Sequence, residues 1–192
     1  RWIEGVYRSP NGILWGLYHR EDYQVECAGR PYFTIPRIGI AKSYDGGFHW
    51  TDLGLVLADF GIDETCDATP NIFFAGGLGD PSWAIDERTG FAYILYSSYT
   101  GNNPRDHGVQ IARIALSDLA SPVGKVWRWD GTSYRSPGLG GVGRAVLEAN
   151  FSWHLPGSDA FWGPSIHWNT YLQTHVVLLN RTNGPDFKQE GA

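Results

Sequence analysis

Methionine is absent from this 192-residue chain, cysteine occurs twice, and charged side chains make up 18% of it, below the quarter usual in soluble domains. Two cysteines, Cys27 and Cys66, exclude a disulfide framework; one bridge and two buried thiols both remain open. Basic residues form no run and the net charge is −5, so nucleic acid is not expected as a partner. No apolar stretch approaches bilayer-spanning length, and no membrane span is expected. No segment sustains a helical period, which excludes a helical bundle. With no methionine and an opening at Arg1, the chain reads as a processed or excised piece of a longer protein. Its targeting signal is then expected in the remainder, and a secreted or periplasmic setting is favoured. Two glycosylation sequons, at Asn150 and Asn180, are too common a pattern to place the protein.

What the chain holds in excess is aromatic. Phe, Trp and Tyr reach 15%, with nine tryptophans. Flat rings suit stacking on sugars, and they equally suit packing between sheets. Laid against itself, the chain repeats a hairpin pattern. Glu4 to Arg8 turns through Ser9-Pro10-Asn11-Gly12 into Ile13 to His19. Gly79-Asp80-Pro81-Ser82-Trp83-Ala84-Ile85-Asp86 turns through Thr89-Gly90 into Phe91 to Tyr96. Trp162-Gly163-Pro164-Ser165-Ile166-His167-Trp168 turns at Asn169-Thr170 into Gln173 to Leu179. The first two are followed by further strands, Ile38 to Ser43 with Leu53 to Leu57, and Gly108 to Ala115 with Lys125 to Trp129. Ser136 to Gly141 reads as a crossing between units.

Four antiparallel strands, repeated, build a propeller blade. The expectation is therefore an all-β chain, a single and incomplete β-propeller domain over 1–192. Its blades are expected at about 1–58, 79–135 and 160–192, the last truncated near Gln189-Glu190-Gly191. Propellers close with about four to eight blades, so a second chain or the missing remainder is expected to complete the ring. Val177, Leu178 and Leu179, with Ile13, Leu14 and Leu17, are the expected junction residues.

The octapeptide Ser43-Tyr44-Asp45-Gly46-Gly47-Phe48-His49-Trp50 fits Ser-x-Asp-x-Gly-x-x-Trp. Asp45 suits a turn in which its carboxylate takes backbone N–H groups, with Trp50 folding back as an apolar plug. This box resembles the Asp-box of sialidases, and the blade pattern resembles the five-bladed propellers of glycoside hydrolase family 43. In that family an Asp base, an Asp that tunes the acid and an acid Glu project from the starts of innermost strands. The resemblance implies that Glu4, in Glu4-Gly5-Val6 where the family motif has Pro third, is the acid. It implies that Asp80, in Asp80-Pro81-Ser82, is the base or the tuning residue. The third strand start, Trp162-Gly163-Pro164, departs from the pattern: no carboxylate is in register, and Asp159 is the nearest substitute. The order is also reversed, since Glu4 precedes Asp80.

Glycosidic cleavage needs one protonated and one ionised carboxyl, about 6.5–9.5 Å apart when the reaction inverts. The leading expectation is such an inverting glycoside hydrolase acting on polysaccharide or oligosaccharide, with no cofactor. Trp162 as a platform and His167 as a hydroxyl partner are candidate sugar contacts; both equally suit packing. Arg8 and Arg181 are candidates for gripping a carboxylated sugar, although the Arg-Ile-Pro context of sialidases is absent. The loop Asp59 to Asp67 has enough carboxylates for Ca²⁺ but no EF-hand spacing, and a solvated acidic loop is the simpler reading. His154, His167 and His175 complete no recognisable metal set. Competing readings are a non-catalytic carbohydrate-binding propeller module and a scaffold of partial propellers.

Overall fold

In a computed structural model, which describes residues 1–22, 34–62, 65, 73–100, 103–153, 157–183 and 188–191, the chain forms three antiparallel sheets. The first runs β1 (Trp2–Arg8), β2 (Leu14–Asp22), β3 (Ile35–Ser43) and β4 (Thr51–Leu57), each paired with the next in sequence. The second follows with β5 (Leu78–Asp86), β6 (Phe91–Ser98), β7 (Gly108–Ala115), β8 (Trp127–Trp129) and β9 (Tyr134–Pro137). β10 (Ala145–Glu148) pairs with the Gly108 end of β7. The third comprises β11 (Asp159–Asn169), β12 (Thr174–Asn183) and β13 (Lys188–Gly191). Two single-turn 3-10 segments, Pro104–Asp106 and Leu116–Asp118, are the helical elements among the described residues.

Alternation along the strands assigns the core. Trp15 and Leu17 of β2, Ile38 and Ile40 of β3, and Val56 and Leu57 of β4 meet Leu78, Trp83, Ile94 and Ile114 of the second sheet in one continuous cluster. Each fully buried aliphatic there stabilises the fold by about 1.5–3 kcal/mol. The opposite side of the second sheet receives β11. Gly163 N–H donates to Ser97 Oγ at 2.8 Å and Ile166 N–H to Ser82 Oγ at 3.1 Å. The second sheet thus lies between the other two, and its first strand β5 touches both β1 and β11. Consecutive blades of a propeller pack in this way.

Two expectations change. Ser136 and Pro137 belong to β9, and Gly138–Gly141 leads toward β10 of the same sheet, so this stretch is no crossing between units. Ala58 N–H donates to Gly138 O at 3.1 Å and Gly140 N–H to Ala58 O at 2.8 Å, zipping the end of the first sheet onto the second. Glycine is required at 138, where a Cβ would stand 2.3 Å from Val56 O. Leu17 is fully buried in the core, so it belongs to the packed face and not to a junction. Leu178, on the unpacked face of the third sheet, is 55% exposed.

Between β3 and β4, Ser43 to Trp50 forms the tight turn its composition predicts. His49 N–H donates to Asp45 Oδ1 at 2.9 Å, Gly47 N–H to Ser43 Oγ at 2.9 Å, and Trp50 Nε1–H to Gly47 O at 2.9 Å. Trp50 is half-buried, its ring lying over Gly16, where a Cβ would come within 2.7 Å of it.

Candidate active site

The first strand of every sheet carries a bulge. In β1 the register jumps between Ile3 and Gly5, which leaves Glu4 as the extra residue. In β5 it jumps between Gly79 and Ser82, across Asp80-Pro81, and in β11 between Trp162 and Ser165, across Gly163-Pro164. A bulge re-aims a side chain that regular pleating would fix on one face. Asp80 adopts φ 48 and Gly163 φ 58, so the two occupy equivalent left-handed positions. For Asp80 that conformation costs about 1–3 kcal/mol. At Gly163 a Cβ would lie 2.7 Å from Asn180 Nδ2, so a side chain there would have to displace the Asn180 amide.

The bulges bring Glu4 and Asp80 together onto one nitrogen of the His19 imidazole. His19 Nδ1 lies 3.3 Å from Glu4 Oε1 and 3.5 Å from Asp80 Oδ1, while its Nε2 lies 3.9 Å from Glu21 Oε1. Asp80 N–H points at Nδ1 from 3.3 Å. Tyr99 Oη donates to Asp80 Oδ2. Burial alone would lower the His19 pKa, but the Asp80 and Glu4 carboxylates overcome it and push the value up to about 9. Burial, reinforced by the charge of Asp80, holds the Tyr99 phenol well above its usual value, so it stays protonated and donates.

Beside this cluster opens a half-enclosed pocket of about 190 Å³. Phe73, Phe74, Tyr99, Trp153 and Trp162 supply its aromatic wall, and His19, Glu21, Asp80 and Thr182 its polar groups. The Phe74 and Tyr99 rings stack at 3.9 Å, and Trp153 meets both edge-on at 5.4 and 5.2 Å. Trp162 Nε1 and Thr182 Oγ1 are buried without a hydrogen-bond partner among the described residues. Buried polar atoms are normally satisfied, so these two stand out as open hydrogen-bonding groups in the pocket wall.

Of the sequence-predicted residues, Asp80 and Trp162 line this pocket and Glu4 flanks it through His19. Asp159 is engaged elsewhere: Arg181 holds it bidentately, Nε to Oδ1 at 2.8 Å and Nη2 to Oδ2 at 3.0 Å, and Asn150 Nδ2 donates to it at 2.8 Å. That pairing lowers the Asp159 pKa and makes it a poor substitute for a third catalytic carboxyl. Arg181 is likewise committed. Arg8 is exposed at the opposite end of β1 from the strand's contact with His19, and His167 is exposed toward the β11–β12 turn. Neither reaches the pocket. His175 is exposed and lies edge-on to Trp168 at 5.1 Å. Asp59 forms an ion pair with the buried Arg128 at 2.5 Å rather than a solvated loop carboxylate. Cys27, Asp63, Glu64, Cys66, Asp67 and His154 lie outside the described residues.

The carboxyl spacing also differs from expectation. The facing atoms of Glu4, His19 and Asp80 all lie within 4.8 Å of one another. That is shorter than the gap of about 6.5 Å or more which admits a water in an inverting site. No motif in the sequence singles out His19, Glu21, Tyr99, Trp153 or Phe74. Period-2 alternation along β2 carries the signal for two of them: Trp15 and Leu17 enter the core, and the same face continues as His19 and Glu21.

No protein-family model matches the chain, and no curated protein sequence matches it. Among solved structures it is similar to a thermostable family-43 glycoside hydrolase, with TM-score 0.53 and 13% identity, over 97% of this chain and 51% of that one. It is also similar to a Hadza microbial sialidase (TM-score 0.47, 15% identity, 98% of this chain and 34% of that one). An exo-1,5-α-L-arabinanase from a bovine ruminal metagenomic library gives TM-score 0.33 at 9% identity, over 97% and 76% of the two chains. The first likeness, with the sheet order above, establishes an all-β propeller fold. The chain spans about half the length of that hydrolase.

Proposed function

We propose that this protein is a carbohydrate-active propeller and a glycoside hydrolase, in which the pocket holds a sugar and Glu4 and Asp80 carry the acid–base chemistry. The observation that carries this reading is Asp80 itself. It is a carboxylate held in a strained left-handed conformation, fixed by Tyr99, at the floor of an aromatic pocket. Strain of this kind persists where surrounding structure enforces it, and it concentrates at functional sites. Trp162 offers apolar surface for a sugar ring, while Thr182 and the Trp162 N–H offer hydroxyl partners. Asp80 is the ionised partner. Glu4 is assigned the acid, with the His19 imidazolium beside it. Their close approach suits a direct role of one carboxylate at the sugar carbon, as in retaining enzymes where the separation is about 5–5.5 Å. The Ser43–Trp50 turn is an Asp-box in this reading, and the three sheets are blades of a propeller of about five, completed by a second chain or the rest of a longer one.

A second reading, a carbohydrate-binding propeller without catalysis, is favoured by two observations. Both carboxylates are drawn onto one nitrogen of His19, and glycine occupies the equivalent third position. Turnover of a panel of aryl glycosides and oligosaccharides separates them. The hydrolase reading expects measurable turnover that falls by about 10²-fold or more in Asp80→Asn and Glu4→Gln. Saturable sugar binding with no turnover of any panel member leaves the binding module.

A further inference from the structure

The hydrogen bonding at His19 does not close. Asp80 N–H at 3.3 Å asks Nδ1 for a lone pair, whereas Glu4 Oε1 at 3.3 Å and Asp80 Oδ1 at 3.5 Å ask the same atom for a proton. One ring nitrogen cannot supply both. The two carboxylate distances are also long for charge-assisted bonds, which run to about 2.7–2.9 Å. They match another arrangement. Two ligand atoms each about 2.1 Å from one ion, at a tetrahedral angle, stand about 3.4 Å apart.

We propose that Glu4 Oε1, His19 Nδ1 and Asp80 Oδ1 hold a divalent transition-metal ion of the zinc class, with its fourth position open to the pocket. One imidazole and two carboxylates are borderline donors suited to such an ion. Tyr99 already serves Asp80 as an outer partner, and Glu21 stands near enough to His19 to be drawn in as a second. Metal-bound histidine usually donates its other ring N–H to a carboxylate; His19 Nε2 is buried without a hydrogen-bond partner and faces Glu21 Oε1 at 3.9 Å. Tyr99 Oη takes Asp80 Oδ2, which leaves Oδ1 for the ion. His19 itself is only 7% exposed, so its orientation is fixed by packing. Binding displaces the imidazole proton to solvent. A water or a sugar hydroxyl fills the fourth position. Glu4 and Asp80 cannot exchange protons while they ligate the ion, so metal binding and hydrolysis exclude one another at this site.

The site does not depend on the protein being a hydrolase, and its test needs no activity. Chelator-stripped protein is titrated with ZnCl₂ by calorimetry, and with CoCl₂ by visible absorption. Binding of one ion per chain with tetrahedral cobalt bands is expected. Affinity should fall about 10–100-fold in Glu21→Gln, which touches no ligand atom of the ion, and by more in Glu4→Gln and His19→Ala. Glu4 and Glu21 side chains are 29% and 25% exposed, so their variants keep the fold should His19→Ala lose it. Absence of saturable binding overturns the proposal, as does binding that Glu4→Gln and Glu21→Gln leave unchanged. Hydrolysis assayed in chelator tests the enzymatic reading separately: a metal-binding protein without turnover contradicts that reading alone.

Discussion

At the scale of single residues, His19 links the stability of the fold to the site. Its pKa is about 9 in the folded chain against an unperturbed 6.5. A raised value means that its contribution is complete below pH about 6.5 and is lost as pH rises through about 9, up to roughly 3 kcal/mol. Denaturant midpoints measured in chelator should therefore drop between pH 6 and pH 9.5 in the wild-type protein, and much less in His19→Asn. An equal drop in both would show that other groups carry the pH dependence. The importance of His19 was legible in part: it lies two residues beyond Leu17 on the inward face of β2. What alternation cannot show is that bulges in two other strands swing Glu4 and Asp80 toward it. Such swings depend on register between strands, which no local pattern encodes. Arg181 and Asp159 mislead for the opposite reason: each has a suitable group for the chemistry, and they use those groups on each other.

At the scale of elements, strand positions followed from the alternation because one face of each sheet is buried. Gly108 to Ala115 is β7 as read, and the three hairpins fall within a few residues of their expected ends. β9 was missed because Ser136-Pro137 carries turn residues, yet Pro at the end of an edge strand sacrifices no ladder bond. Cross-strand glycines make a sharper test of packing. Gly39 pairs with Tyr18, and a Cβ at 39 would fall 2.2 Å from the phenol, which Asp52 holds by a hydrogen bond at 2.8 Å. Gly39→Ala should cost about 1–3 kcal/mol by overpacking, read from chemical denaturation; a neutral result would mean that Tyr18 moves freely. In the Ser43–Trp50 turn, Asp45→Ala removes the acceptor for His49 N–H. It should lower the melting temperature with no effect on sugar binding, since the turn lies away from the pocket residues; impaired binding would tie the turn to the site.

At the scale of the whole molecule, the second sheet is covered on both faces while the third keeps Leu178, 55% exposed, in water on its uncovered face. Apolar faces of that kind mark interfaces. We expect scattering and sedimentation to report association above the 21.4 kDa chain mass, weakened by Leu178→Lys. A monomer at every concentration would mean that this face needs no partner. The pocket lies where the first strands of successive sheets meet, so the fold and the site share one cause: bulged inner strands that point polar side chains toward a common cavity. That sugar occupies this cavity is the central claim, and titration of oligosaccharides against intrinsic tryptophan fluorescence tests it most directly. Saturable changes are expected in the wild-type protein, with an affinity that falls in Trp162→Phe, which keeps an aromatic ring but removes the unpartnered indole N–H, and that holds in Arg8→Ala. An affinity that Trp162→Phe leaves intact, or the absence of any response across neutral and acidic oligosaccharides, would contradict it.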